Sequence, residues 1–160
     1  MKEIVINSKL ILPSDAYTIG ELFEVVYRTR RFARWFNFVP FVWMLFDKER
    51  LEVGCSGRLF FSLPPFTYQL TVTEVVHNAH IQFHSQSKHF FGKADMHFYV
   101  EGDFIVYEEP HVLKATNFFI YYYYKWLLAG HHDRYMQFRF KSLVKQIHQM
   151  RGEVLNEDNL

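Results

Sequence analysis

The most interesting titratable set in the chain is Glu108-Glu109-Pro110-His111, two adjacent acids and an imidazole just ahead of the last helical stretch. A carboxylate and an imidazole held beside a substrate can move protons, and burial or a neighbouring charge tunes either toward neutral pH. On a strand, alternation turns one acid inward and the other out. The inward acid either serves as a base or pairs with an arginine of the C-terminal helix. For proton abstraction the candidates are Glu108 or His111 as base, with Tyr122 or Arg139 steadying the developing oxyanion. Glu74, Glu109 and Arg134 complete the titratable candidates.

Nine histidines raise the question of a metal. His80 with His84, and His131 with His132, are the closest pairs. On one strand face His80 and His84 stand about 13 Å apart at the usual rise, and adjacent helical residues diverge. No Cys-rich or HExxH set accompanies them, so neither a metal nor a cofactor is expected. No GxSxG, P-loop or GxGxxG motif is present. Cys55 falls in a predicted strand without a neighbouring base and reads as a small apolar spacer.

These groups need a scaffold, and the hydrophobic pattern predicts one. Ile4, Ile6, Ser8, Leu10 and Leu12 alternate in a first strand ended by Pro13. Ser14-Asp15 offers an N-cap to a helix from about Ser14 to Thr29, with Ile19, Leu22, Phe23, Val26 and Tyr27 on its apolar face. A short helix through Phe32, Trp35 and Phe36 follows. Arg28, Arg30, Arg31 and Arg34 gather there, either capping helix carbonyls or binding an anion. From Val39 to Phe119 about six strands are predicted: Phe41–Asp47, Leu51–Leu63, Phe66–Val75, His80–Ser87, Phe90–Glu101 and Asp103–Ala115. Short connections, among them Pro64-Pro65 and His77-Asn78, favour an antiparallel meander. Asn117 could cap a final helix in which Met136, Phe140, Leu143 and Ile147 recur at spacings of four, three and four. Gly130 is a candidate kink.

The fold class read from this order is α+β. A curved antiparallel sheet of about seven strands wraps a long C-terminal helix, with two short helices after the first strand. One domain spans residues 1–150, and residues 151–160 form a polar, frayed tail.

Composition narrows the partners. The 18 Lys and Arg nearly balance the 17 Asp and Glu, so no global field would gather nucleic acid. The apolar runs Phe36–Phe46 and Phe118–Gly130 fall short of the ~20 residues a spanning helix needs, and no stable membrane insertion is expected. A lone cysteine and the lack of a leader suit a cytoplasmic setting. Seven of the nine residues Phe118 to Trp126 are aromatic, which predicts burial on most sides. That burial comes either from core and an oligomer contact such as a homodimer, or with one or two tyrosine hydroxyls projecting into a cavity.

The element order, with Leu70-Thr71-Val72-Thr73-Glu74-Val75, Gly92-Lys93-Ala94-Asp95-Met96-His97-Phe98, Val106-Tyr107-Glu108 and His132-Asp133-Arg134-Tyr135-Met136, resembles the START-like helix-grip (SRPBCC) superfamily. Its polyketide cyclase/dehydrase-like branch is the nearest in pattern. Glu52-Val53-Gly54, taken as opening a strand, belongs to the same likeness. The resemblance implies a hydrophobic tunnel between sheet, last helix and loops, and no particular catalysis. Phe98 stands where that superfamily usually has Trp, and the iron-binding His/His/Asp arrangement of its hydroxylase branch is not recognisable. The expected function is binding of a lipid, aromatic or polyketide-like molecule in a cavity lined by Tyr68, Leu70, Phe83, Met96, Phe98, Tyr122 and Met136. The alternatives are a cyclase/dehydratase-like enzyme, and a membrane-surface or protein-interaction module exposing Phe36–Phe46 and Tyr121–Trp126.

Overall fold

The computed structural model describes residues 2–62 and 65–157. In chain order the elements are β1 (Glu3–Pro13), α1 (Ile19–Tyr27), α2 (Thr29–Phe36), β2 (Val42–Phe46), β3 (Ser56–Ser62), β4 (Pro65–Val76), β5 (His80–Gln86), β6 (Phe90–Glu101), β7 (Phe104–Ala115) and α3 (Phe118–Glu157). All seven strands form one antiparallel sheet in the order β1-β7-β6-β5-β4-β3-β2. It curls around α3, as the element order predicts.

Period-two burial drives the strands. In β1, Ile4, Ile6, Ser8 and Leu12 are buried while Val5 and Ile11 face solvent. From β3 to β7 two-residue and three-residue connections keep neighbours antiparallel, while nine residues join β2 to β3. Gly102 takes φ 60° at the first position of the two-residue β6–β7 loop, the conformation that a type II′ hairpin assigns to glycine. Asn78 adopts φ 61° between β4 and β5, a position that asparagine tolerates.

The stripe Met136, Phe140, Leu143 and Ile147 is fully buried against the sheet and α1. Asn117 caps α3 by accepting from the Ile120 amide at 2.9 Å, as read from the sequence. The helix is continuous across Gly130. It also passes the Met150 boundary, because Arg151 donates to Glu21 at 2.6 Å and to the Ala16 carbonyl at 2.6 Å.

Several boundaries differ from the pattern reading. The cap of α1 is Thr18, four residues after Ser14: its Oγ1 accepts from the Glu21 amide, and Glu21 accepts from the Thr18 amide. Ser14 instead donates its hydroxyl to the Asp103 carbonyl in the β6–β7 loop. Glu52-Val53-Gly54 forms a turn with Gly54 at φ 80°, so β3 starts only at Ser56 and Cys55 precedes it. The predicted Pro64-Pro65 turn lies partly outside the described residues. Arg28, at the junction of α1 and α2, pairs with Glu24 one turn back on α1, and Arg31 ties α2 to α3 through Glu153 at 2.5 Å.

One glycine is indispensable to the sheet. A Cβ built on Gly92 would lie 2.0 Å from the Val112 carbonyl oxygen and 3.0 Å from the Leu113 Cα. Both are backbone atoms of the paired strand β7, which cannot move aside cheaply. Gly92→Ala is expected to lose at least about 3 kcal/mol of stability by overpacking, read by urea unfolding. A loss under about 0.5 kcal/mol would show that β6 and β7 do not approach this closely.

Candidate functional site

The buried side chains form two clusters. The larger joins α1, α2, the stripe of α3 and the sheet around Phe83, Met96 and Tyr107. The smaller gathers Ile4, Ile6, Tyr68, Phe90, Leu113 and Tyr124. Between them lies a cavity of about 270 Å³ whose wall is almost wholly apolar. A single water needs only roughly 10–15 Å³ on this measure, so the space is molecule-sized.

Strands supply its floor through Tyr68, Leu70, Phe83, Ala94 and Met96, and helices its roof through Phe32, Phe36, Tyr135 and Met136. Of the seven lining residues expected from sequence, Tyr68, Leu70, Phe83, Met96 and Met136 are there. Phe98 instead packs edge-on to Phe23 and against Tyr107 in the larger cluster. Tyr122 is 48% exposed and accepts a hydrogen bond from Lys2.

A polar chain enters this wall along β7. Tyr107, Glu109, His111 and Leu113 share its inward face, while Glu108, Pro110 and Val112 face away. Glu109 is only 3% exposed. Its carboxylate accepts the Tyr107 hydroxyl at 3.2 Å, and its other oxygen lies 3.0 Å from His111 Nε2. The His111 and His132 rings meet edge to face at 5.4 Å, and His132 Nδ1 lies 3.3 Å from Ser8 Oγ. Ser8 and Glu109 are register partners across β1 and β7, which is why a buried serine interrupts an apolar lane.

The environment sets the protonation of these groups. Burial, then the Glu109 charge and hydrogen bond, pushes the Tyr107 phenol well above its usual 10. Burial, then the neighbouring His111, lowers His132 to about 4. His132 is therefore neutral at pH 7. Elsewhere in the wall, the hydroxyls of Tyr68 and Ser85 are buried and meet no partner among the described residues. Ser85 lies two strands and Tyr68 three strands from β7, roughly 10 and 14 Å across the sheet at the usual strand spacing. A ligand filling the gap would thus meet hydrogen-bonding groups at both ends of an apolar body.

The other sequence candidates are elsewhere. Glu108 points outward, accepting from Asn7 at 2.7 Å and Tyr99 at 2.9 Å and pairing with Lys9 at 3.2 Å. These bonds hold its carboxyl below the usual range. Arg139 is buried but donates its Nε to the Trp35 carbonyl at 2.7 Å, while Tyr135 donates to the Phe36 carbonyl at 2.6 Å. Together they satisfy the last carbonyls of α2, which a helix end leaves unpaired. None of Arg139, Tyr122 and Glu108 lines the cavity, so an oxyanion role for Arg139 or Tyr122 and a base role for Glu108 do not fit this geometry. Glu74 and Arg134 are exposed. Burial, then Asp47, pushes the Cys55 thiol up to about 11.

The aromatic run is less buried than expected. Tyr124 packs on Phe90 and Phe66, but Phe119 is 83% and Trp126 72% exposed, and none of Tyr121 to Tyr124 reaches the cavity. No helix among the described residues is long and apolar enough to cross a membrane.

No family model and no curated protein matches the chain. Solved structures do. The chain is similar to a Staphylococcus aureus protein of unknown function, SA2116, with a TM-score of 0.66 and 8% identity over 94% of this chain and 97% of that one. It is similar to CalU16 from Micromonospora echinospora with a TM-score of 0.55 and 15% identity over 95% and 84%. For DynU16, a protein of the dynemicin biosynthetic locus, the TM-score is 0.59 at 11% identity, covering 89% of this chain and 47% of that one. At such identities the likeness is one of fold, and it agrees with the helix-grip arrangement.

The His132 shift has a pH signature. Its folded value of about 4 lies below the usual 6.5 of an unfolded histidine. The unfolded chain therefore binds the extra proton first, and stability falls as pH drops from about 6.5 to about 4. The contribution is roughly 1–3 kcal/mol. Urea midpoints measured across this window should fall less steeply for His132→Gln than for the parent. Equal slopes would place the imidazole in water.

Proposed function

We propose that the chain binds an apolar small molecule, aromatic, lipid-like or polyketide-like, in the cavity between the sheet, α2 and α3. The observation that carries this reading is a molecule-sized apolar space with two unpaired buried hydroxyls in its wall. An unpaired buried hydroxyl costs about 1–3 kcal/mol, a cost relieved when a ligand supplies the partner. Apolar walls with a few placed polar groups are what small-molecule sites share. The START-like order of elements and the likeness to a protein of a biosynthetic locus support a small organic ligand.

Glu109 and His111 favour a second reading, acid–base turnover of the cyclase/dehydratase kind. His111 would take a proton from a bound substrate, and the carboxylate 3.0 Å away would stabilise the imidazolium. This version uses the inward acid in place of Glu108.

Native mass spectrometry of protein purified from its own host is expected to show one retained apolar molecule per chain. Ala94→Phe, which fills the cavity floor, should weaken binding of that molecule at least about tenfold. Tyr68→Phe separates the roles of the hydroxyl. It should raise the stability of the free chain by about 1 kcal/mol while weakening a ligand that bonds the phenol by roughly tenfold. Unchanged affinity in Ala94→Phe would sink the cavity as the binding site. Loss of turnover with retained binding in Glu109→Gln would favour the enzyme.

A further inference from the structure

On the face of the sheet turned away from the cavity, three side chains from neighbouring strands converge. His80 of β5 is the register partner of His97 on β6, and Asp95 lies two residues earlier on the same face of β6. The two imidazoles stack in parallel planes, 4.7 Å between centroids and 6° apart in orientation. His80 Nε2 is 3.0 Å from Asp95 Oδ1. One ligand atom from each of the three residues lies within 4.8 Å of the others. We propose that His80, Asp95 and His97 form a binding site for a divalent transition-metal ion of the zinc type, clipping β5 to β6.

The donor set suits that class. Two imidazoles and one carboxylate match zinc and its late first-row neighbours, whereas magnesium and calcium prefer oxygen alone. Metal–ligand bonds of about 2.0–2.2 Å place tetrahedral donors roughly 3.4 Å apart. Closing a triangle with edges of at most 4.8 Å requires short movements of the ligand atoms, together with a turn of the two stacked rings out of their parallel planes so that one lone pair of each meets the ion. Three protein ligands leave a fourth position for water.

The surroundings brace this arrangement. Gln82 donates to Asp95 Oδ1 at 2.9 Å and itself accepts from Thr73 Oγ1 at 3.2 Å, so a chain from β4 through β5 orients the carboxylate on β6. Such outer hydrogen bonds are what hold metal ligands in place. None of the three ligands is fully exposed, which limits their conformational freedom. The backbone also gives the clip a task. The ladder between β6 and β7 breaks between Ala94↔His111 and His97↔Glu108, opposite Pro110, which has no N–H to donate. Here β6 is held on its β5 side, and a metal would strengthen that side.

The test uses the whole chain after treatment with a chelator. Calorimetric titration with Zn²⁺ is expected to show one site per chain with micromolar affinity, and the thermal midpoint should rise by several degrees with Zn²⁺ but not with Mg²⁺. Co²⁺ should broaden the ring-proton signals of His80 and His97 together. His97→Gln and Asp95→Asn should each weaken Zn²⁺ binding at least tenfold, while His84→Gln on the same sheet face leaves it unchanged. Two different ligand variants guard against one of them misfolding, with circular dichroism as the check. No saturable binding below millimolar Zn²⁺, an equal response to Mg²⁺, or full affinity in both ligand variants would overturn the proposal.

Discussion

The burial of one stripe of α3, Met136 to Ile147, against a sheet curled around it organises the molecule. Sheet curvature and helix length together decide what is left over. Toward its C-terminus the stripe is in full contact with α1 and the sheet. Toward its N-terminus the helix touches the sheet through a separate cluster around Tyr124 and Phe90. Between the two contacts neither cluster fills the space, and His132, Tyr135 and Met136 form its roof. Packing density in protein interiors rarely leaves such gaps, so this one sets the interior apart from an ordinary filled core.

The polar groups at the cavity obey the same geometry. Tyr107, Glu109 and His111 occupy successive inward positions of one strand, each two residues from the next. Their mutual hydrogen bonds offset the burial of a carboxylate that would otherwise be costly. On the outer face Glu108 reaches a comparable compromise with Asn7, Lys9 and Tyr99, though water shares in it there. Arg139 and Tyr135 show a third solution, in which α3 completes the end of α2.

How far the sequence foretold this depends on the range of the interaction. Strand alternation and the helical stripe are local, and they gave the element order and five of the cavity residues. The same alternation contained the answer for the acids: Glu109 has the parity of His111, and Glu108 does not. Glu108 and His111, the two alternative bases, therefore lie on opposite faces of β7. Tyr122 was misplaced because a run of aromatics has no period to say which ones face inward. Thr18 was missed because Ser14 is an equally good cap in isolation, and only its bond to the Asp103 carbonyl removes it. His80 and His97 were beyond reach because their adjacency depends on the register of β5 on β6, which no pairing along one strand reveals.

The division of the interior into two clusters bears on how the chain holds together. Side chains on either side of the gap meet through Leu59, which packs against both clusters, and through the strands and the helix that run past it. A molecule seated there would touch Ile6, Tyr68 and Leu113 on one side and Phe32, Phe83 and Met136 on the other. It would add direct contacts between the two clusters, so that opening one would carry a cost at the other.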